Sequence, residues 1–247
     1  MLTLAETFAG VGGWSEAARM AGGIRPVWVC EIHKYKNLVY ELRHPGVPNL
    51  GDIRNITNAP YADIFSVSFP CTDISLAGKG AGIEGNDSRL WFEAERLIGQ
   101  VRPKYVVIEN GPALTIRGLW RILAGLAGLG YDAEWTHLSG YQFGIQHRRK
   151  RLFLIAHTNQ GRFQREHTKP IFRSNKSTTR TGGASVSTQV IFPGWPRRSD
   201  IPEPRTIRSA HDLPSLIHRL ECVGDAIIPL IGMYVLECIK IHHAENS

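Results

Sequence analysis

The chain has 247 residues, 43% of them hydrophobic and 21% charged, with a net charge of +7. That length suits one sizeable α/β domain with a small appendage. No apolar run reaches the ~18 residues of a membrane span, no secretory pattern opens the chain, and the cysteines Cys30, Cys71, Cys222 and Cys238 form no CxxC pair; a membrane protein, a zinc site and a disulfide framework are thereby disfavoured, and a reducing cytoplasm is expected.

The first predicted strand, "LTLAETF" (2–8), runs into a turn holding Gly10, Gly12 and Gly13, and then into a helix over 14–21. Glycines at such a turn let the backbone approach a ligand and offer helix N-terminal N–H groups to an anion. The turn by itself fits NAD, FAD or S-adenosylmethionine. The second strand (25–32) brings Glu31 to its end. An acid there commonly bonds ribose hydroxyls, the alternative being a surface acid. After a helix over 34–43, the turn "GDI" (51–53) offers Asp52 as an acceptor for an exocyclic amine. Together the three turns outline an adenosyl pocket.

The third strand, "ADIFSVSF" (62–69), ends in Pro70 and Cys71. Cys71 reads either as a small buried hydrophobe or as a nucleophile held at a strand tip, where active-site groups often lie. A helix over 89–101 leads to the strand 104–110, which carries Glu109 and Asn110 at its end. A buried Glu in that position is often paired structurally, but a thiol beside a carboxyl suggests nucleophilic attack with proton management. A helix over 119–130 and a strand over 132–138 follow. "QHRRKRLF" (146–153) then leads into the strand 151–157. Alternate strand residues share a face, so Arg149 and Arg151 could both point at the site; the other reading is a solvated edge. This strand–helix alternation predicts a doubly wound, mostly parallel sheet with its ligands beyond the carboxyl ends of the strands.

The periodicity stops after His157. Residues 158–210 hold ten Lys and Arg against three acids, which is the whole net charge; the remainder holds 19 of each sign. Such a segment suggests a polyanion partner, or else a solvated basic loop. It reads as a loop-rich insert, and "AIIPLIGMYVLECIKI" (226–241) as a closing apolar helix with Pro229 tolerated in its first turn.

These motifs, in this order, resemble the cytosine-C5 DNA methyltransferase family across about 175 residues. "TFAGVGG" is similar to the family's FxGxGG cofactor loop, Glu31 and "GDI" to its ribose and adenine contacts, and "SFPCTDIS" to its PCQ loop, with Thr72 in the Gln position. "IENG" (108–111) resembles ENV. "HRRKR" (147–151) resembles QxRxR, with His147 in the Gln position, and "VGDAI" (223–227) resembles GNAV, with Asp225 in the Asn position.

The resemblance implies a Rossmann-like S-adenosylmethionine-dependent catalytic domain over 1–157 plus 211–247, and a small basic target-recognition insert over 158–210. It implies a catalytic set of Cys71, Glu109, Arg149 and Arg151. The implied cofactor set is Phe8, Ala9, Gly10, Gly12, Gly13, Glu31, Ile32, Asp52, Ile53, Pro70, Asp225 and Ala226, with no metal. The expected substrate is double-stranded DNA bound by a monomer, with a cognate restriction endonuclease as partner. Two alternatives stand beside this: a catalytically silent DNA-binding relative, and an RNA cytosine-C5 methyltransferase.

Overall fold

The computed structural model describes residues 1–70, 83, 89–146, 148–158, 170–172 and 226–246. Six strands form one sheet in the order β2-β1-β3-β4-β6-β5. They are β1 (Leu2–Thr7), β2 (Ile24–Cys30), β3 (Ile64–Val67), β4 (Tyr105–Asn110), β5 (Tyr131–Leu138) and β6 (Arg151–Thr158). The pairs β1–β2, β1–β3 and β3–β4 are parallel, as a doubly wound sheet requires. β6 departs from the parallel expectation: it runs antiparallel to both β4 and β5.

The helices are α1 (Gly13–Ala21), α2 (Lys34–Arg43), α3 (Leu90–Val101), α4 (Leu114–Arg117), α5 (Leu119–Gly128) and α6 (Pro229–Asn246). α4, a single turn, has too short a period to be legible in the sequence. α6 begins at Pro229 itself, where the missing N–H costs nothing and the fixed φ suits the first helical position, and it extends five residues beyond the predicted end.

The central strands β1, β3, β4 and β6 are largely buried on both faces, and their alternation divides the core in two. Leu4, Ile64, Val107 and Phe153 pack with Trp14 and Ala17 of α1 and with Val235 and Ile239 of α6. Ala5, Phe65, Val106 and Leu154 pack with Trp91 and Leu97 of α3 and with Ile122 and Leu126 of α5. Period-2 parity therefore assigns Glu6, Ser68, Glu109 and Arg151 to the α1/α6 face. All four lie at the end of the sheet where the parallel strands finish. Ile171 is buried in the same α1/α6 cluster, and its N–H donates to the Glu134 carboxylate of edge strand β5 at 2.9 Å.

Candidate active site at the carboxyl ends of the strands

The turn after β1 winds through positive φ at Phe8 (56°), Gly10 (58°) and Gly12 (86°). Its three glycines do different things. A Cβ on Gly10 would meet nothing within 4 Å, so this glycine faces open space. On Gly12 it would lie 2.8 Å from the Tyr40 ring, and on Gly13 it would lie 3.0 Å from Ile227. Those two glycines let α2 and the segment before α6 close onto the turn. Ala9 is buried, and its N–H donates to the Cys30 carbonyl at 3.0 Å.

The Trp14 and Ser15 N–H groups of the α1 N-terminus are taken up within the chain rather than offered to an external anion, which departs in part from the sequence expectation. Glu6 Oε1 accepts the Trp14 N–H at 3.0 Å, and Oε2 accepts the Ser15 N–H at 3.0 Å and the Ser15 hydroxyl at 2.6 Å. Ser15 Oγ in turn contacts the Tyr40 hydroxyl at 2.8 Å. The chain thus supplies its own anion, which satisfies both orphan donors and the helix dipole. Burial pushes the Glu6 carboxyl up to about 7 despite these donors. Sequence reasoning passed over Glu6; the available signal was an acid on the inward parity of an otherwise apolar strand.

At the end of β2, Glu31 joins two turns. Oε2 accepts the Gly10 N–H and Oε1 the His33 N–H, both at 2.7 Å. Asn49 holds Glu31 from behind, accepting its N–H at 3.0 Å and donating to its carbonyl at 2.8 Å. No spacing in the sequence marks Asn49. Ile32 is 67% exposed beside it. Asp52 is engaged by Arg54, through both the backbone N–H and the guanidinium, and that pairing holds its carboxyl below the usual range. Ile53 is buried in the core and shapes the site from beneath.

This arrangement fits an adenosyl group. A carboxylate has about four acceptor positions, so Glu31 keeps room for a ribose diol after serving two N–H groups. The open side of Gly10 admits a ligand chain, and exposed Ile32 offers an apolar surface to a flat ring.

The second half of the site gathers around Glu109, which is 6% exposed. Arg151 Nε lies 3.2 Å from its Oε1. The antiparallel β6 makes this possible: it begins where β4 ends, with Phe153 opposite Glu109. Burial raises the Glu109 carboxyl above its ordinary value, while Arg151, Arg149 and the Ser68 hydroxyl draw it back. Arg149 takes a separate path. It precedes β6, has φ 24°, and donates from Nη2 to the Ala226 carbonyl at 2.6 Å. The neighbouring Asn110, also buried, donates to the Phe69 carbonyl at 3.0 Å and accepts the Gly111 N–H at 2.7 Å. Asn110 thereby fixes the chain at Phe69, just before partly buried Pro70. Cys71, Thr72, His147 and Asp225 lie outside the described residues. Of the described cysteines, Cys30 and Cys238 are both buried, and burial drives the Cys30 thiol up to about 12, far from a nucleophile's range.

A family model described as C-5 cytosine-specific DNA methylase matches residues 2–192. The type II methyltransferase M.NlaX of Neisseria lactamica is 32% identical over 166 residues, covering 64% of this chain and 53% of the relative. M.BanI of Aneurinibacillus aneurinilyticus is 33% identical over 160 residues, covering 61% and 37%. The chain matches about half the length of the curated relatives. Among solved structures, S. pombe Dnmt2 methyltransferase superposes with a TM-score of 0.55 at 23% identity, covering 64% of this chain and 51% of that one.

Proposed function

The chain belongs to the C-5 cytosine-specific DNA methylase family, and from that premise we propose that it methylates C5 of a cytosine in double-stranded DNA. The observation that carries this reading is a buried carboxyl, Glu109, between Arg151 and the strand end that leads to Pro70–Cys71. S-adenosylmethionine, when bound along Gly10, Glu31 and Ile32, supplies an electrophilic methyl group.

The chemistry this asks of the chain can be assigned residue by residue. C5 of cytosine is a poor nucleophile until a group adds at C6. Cys71 is the proposed thiolate, and its addition makes C5 enamine-like. Glu109, whose carboxyl burial raises above its ordinary value, hydrogen-bonds N3 and the amino group and steadies the adduct. Loss of the C5 proton and expulsion of the Cys71 thiolate then restore the aromatic ring. A base inside a duplex is out of reach, so the target must be flipped out. Arg151 orients Glu109 and contributes positive potential that favours a nearby thiolate. Arg149 ties the Ala226 segment to this end of the sheet.

The basic residues 158–210 are the proposed DNA-reading part, joined to a catalytic domain made of 1–157 and 211–247. The proposed working state is a monomer on DNA in the cytoplasm of a prokaryotic or phage-infected cell, with a cognate restriction endonuclease as counterpart. No helix among the described residues is long and apolar enough to cross a membrane.

The test is methyl transfer from labelled S-adenosylmethionine to DNA and to tRNA side by side, with bisulfite sequencing of DNA from expressing cells. DNA-specific labelling at a fixed cytosine context supports the reading. Labelling of tRNA alone replaces it with an RNA methyltransferase, and labelling of neither with a silent DNA-binding relative. DNA carrying 5-fluorocytosine should trap a covalent adduct with the wild type and none with Cys71→Ala.

A further inference from the structure

Ser68 lies at the end of β3, one residue beyond the Val67–Ile108 pair, so it sits across from Glu109. Its hydroxyl oxygen accepts the Trp14 indole N–H at 3.1 Å, and the same hydroxyl lies on the Glu109 face of the sheet, where it helps draw the carboxyl's titration down. A serine hydroxyl has one proton to give, whereas an indole N–H can only donate. The donor role at the Trp14 end is therefore already taken, which leaves the Ser68 proton free for the neighbouring Glu109 carboxyl. Trp14 is itself locked: its backbone N–H is held by Glu6, and its ring is fully buried against Phe153.

We propose that Ser68 is a positioning residue for Glu109, fixing the carboxyl's orientation and linking it through Trp14 to the glycine turn where the cofactor is proposed to bind. The inference rests on the methyltransferase reading for its catalytic consequence, though not for the contact itself. Among the described residues, the charged groups facing Glu109 are Arg151 from β6 and Arg149 from the residues before it. Both favour the carboxylate, and both come from β6 or the residues leading into it. From the β3 side the Ser68 hydroxyl adds a smaller pull in the same direction. A distortion of the Gly12–Trp14 turn would move the indole, release the hydroxyl and loosen Glu109. The turn that holds the cofactor and the acid that holds the base would then be assembled together.

The experiment compares wild type, Ser68→Ala, Ser68→Thr and Trp14→Phe in two measurements. The first is the pH profile of methyl transfer. Ser68→Ala should lower kcat about tenfold, the loss of one well-made hydrogen bond, with the cofactor KM little changed. Its alkaline limb should move to higher pH, because the carboxyl loses a donor that favours ionisation. Ser68→Thr, which keeps the hydroxyl, should restore the profile. Trp14→Phe, which keeps a ring and removes the N–H, should shift it in the same direction by less. The second measurement needs no activity: the Glu109 carboxyl is titrated by carbon-13 NMR, assigned with Glu109→Gln, and its midpoint should rise in Ser68→Ala. A Ser68→Ala protein with the wild-type midpoint and wild-type limb overturns the proposal. A wild type that methylates nothing while the midpoint still moves overturns the methyltransferase reading and leaves the contact standing.

Discussion

Asn110 donates its side-chain N–H to the carbonyl of Phe69 at 3.0 Å, so the strand that carries Glu109 also holds the backbone two residues before Cys71. Both partners are buried. Asn110→Ala leaves the Phe69 carbonyl and the Gly111 N–H without their partner, a loss of about 1–3 kcal/mol. Thermal unfolding should register that loss. Methyl transfer should fall further than stability alone explains, with cofactor affinity unchanged by calorimetry. Equal losses in binding and turnover would make Asn110 a general structural residue.

Glu31 serves the Gly10 and His33 N–H groups at once. Glu31→Ala should weaken S-adenosylmethionine binding roughly ten- to a hundredfold, the range of a charge-assisted hydrogen bond of about 1.5–3 kcal/mol. DNA affinity should stay near wild type. Titration calorimetry with the cofactor, and gel shift with DNA, separate the two. Unaltered cofactor affinity would return Glu31 to the class of surface acids.

Glu6 sets a pH dependence of folding. Its carboxyl titrates near 7 in the fold and near 4.5 when free. The fold therefore binds the extra proton, and the stability it gains is complete below about 4.5 and is lost as pH rises through about 7. At about 1.4 kcal/mol per unit the span is on the order of 3 kcal/mol. Glu6→Gln should flatten this part of the curve, as measured by urea unfolding between pH 4.5 and 8. An identical slope in the variant would assign the titration elsewhere.

The ten basic residues of 158–210 should show themselves in salt dependence. Log affinity for DNA should fall with log salt at about −0.9 per phosphate contact. Most Arg→Ala changes there should weaken all sequences alike and reduce the slope. A few, within "PRRSDIPEPRTIR", should relax the methylated motif, because base edges rather than phosphates carry sequence. A full set of variants with the wild-type slope and motif would move recognition to another part of the protein.

Much of the site was legible in the strand ends. Glu31 and Glu109 were read from their places after β-rich runs, and the parity that puts Arg151 on the Glu109 side follows from alternation alone. What alternation could not give was direction. Arg151 reaches Glu109 because β6 runs antiparallel to β4; a parallel β6 would begin at the far end of the strands. The cue was a twelve-residue connection, 139–150, with no helical period to serve as a parallel crossover. The glycine turn was read as serving only a ligand, whereas Gly12 and Gly13 answer to Tyr40 and Ile227. Those contacts come from elements distant in sequence, and no local pattern encodes them. The same holds for Asn49.

The two described points that bracket the basic segment, Thr158 and Ala226, are held at opposite ends of the strands. β6 finishes with the Thr158 N–H on the Lys104 carbonyl, at the end where β4 begins. Ala226 is fastened by Arg149 at the end where β4 finishes. Eight strand residues at about 3.3 Å each set a span of roughly 25 Å for the return, and Ile171, on Glu134 opposite Ile155, is already partway back. Deletions therefore meet a floor of about eight extended residues. Additions meet almost none, since each doubling of a loop costs only about 0.6 kcal/mol. A fold stitched at both ends in this way can exchange the piece between them for one of another length while the sheet keeps its register.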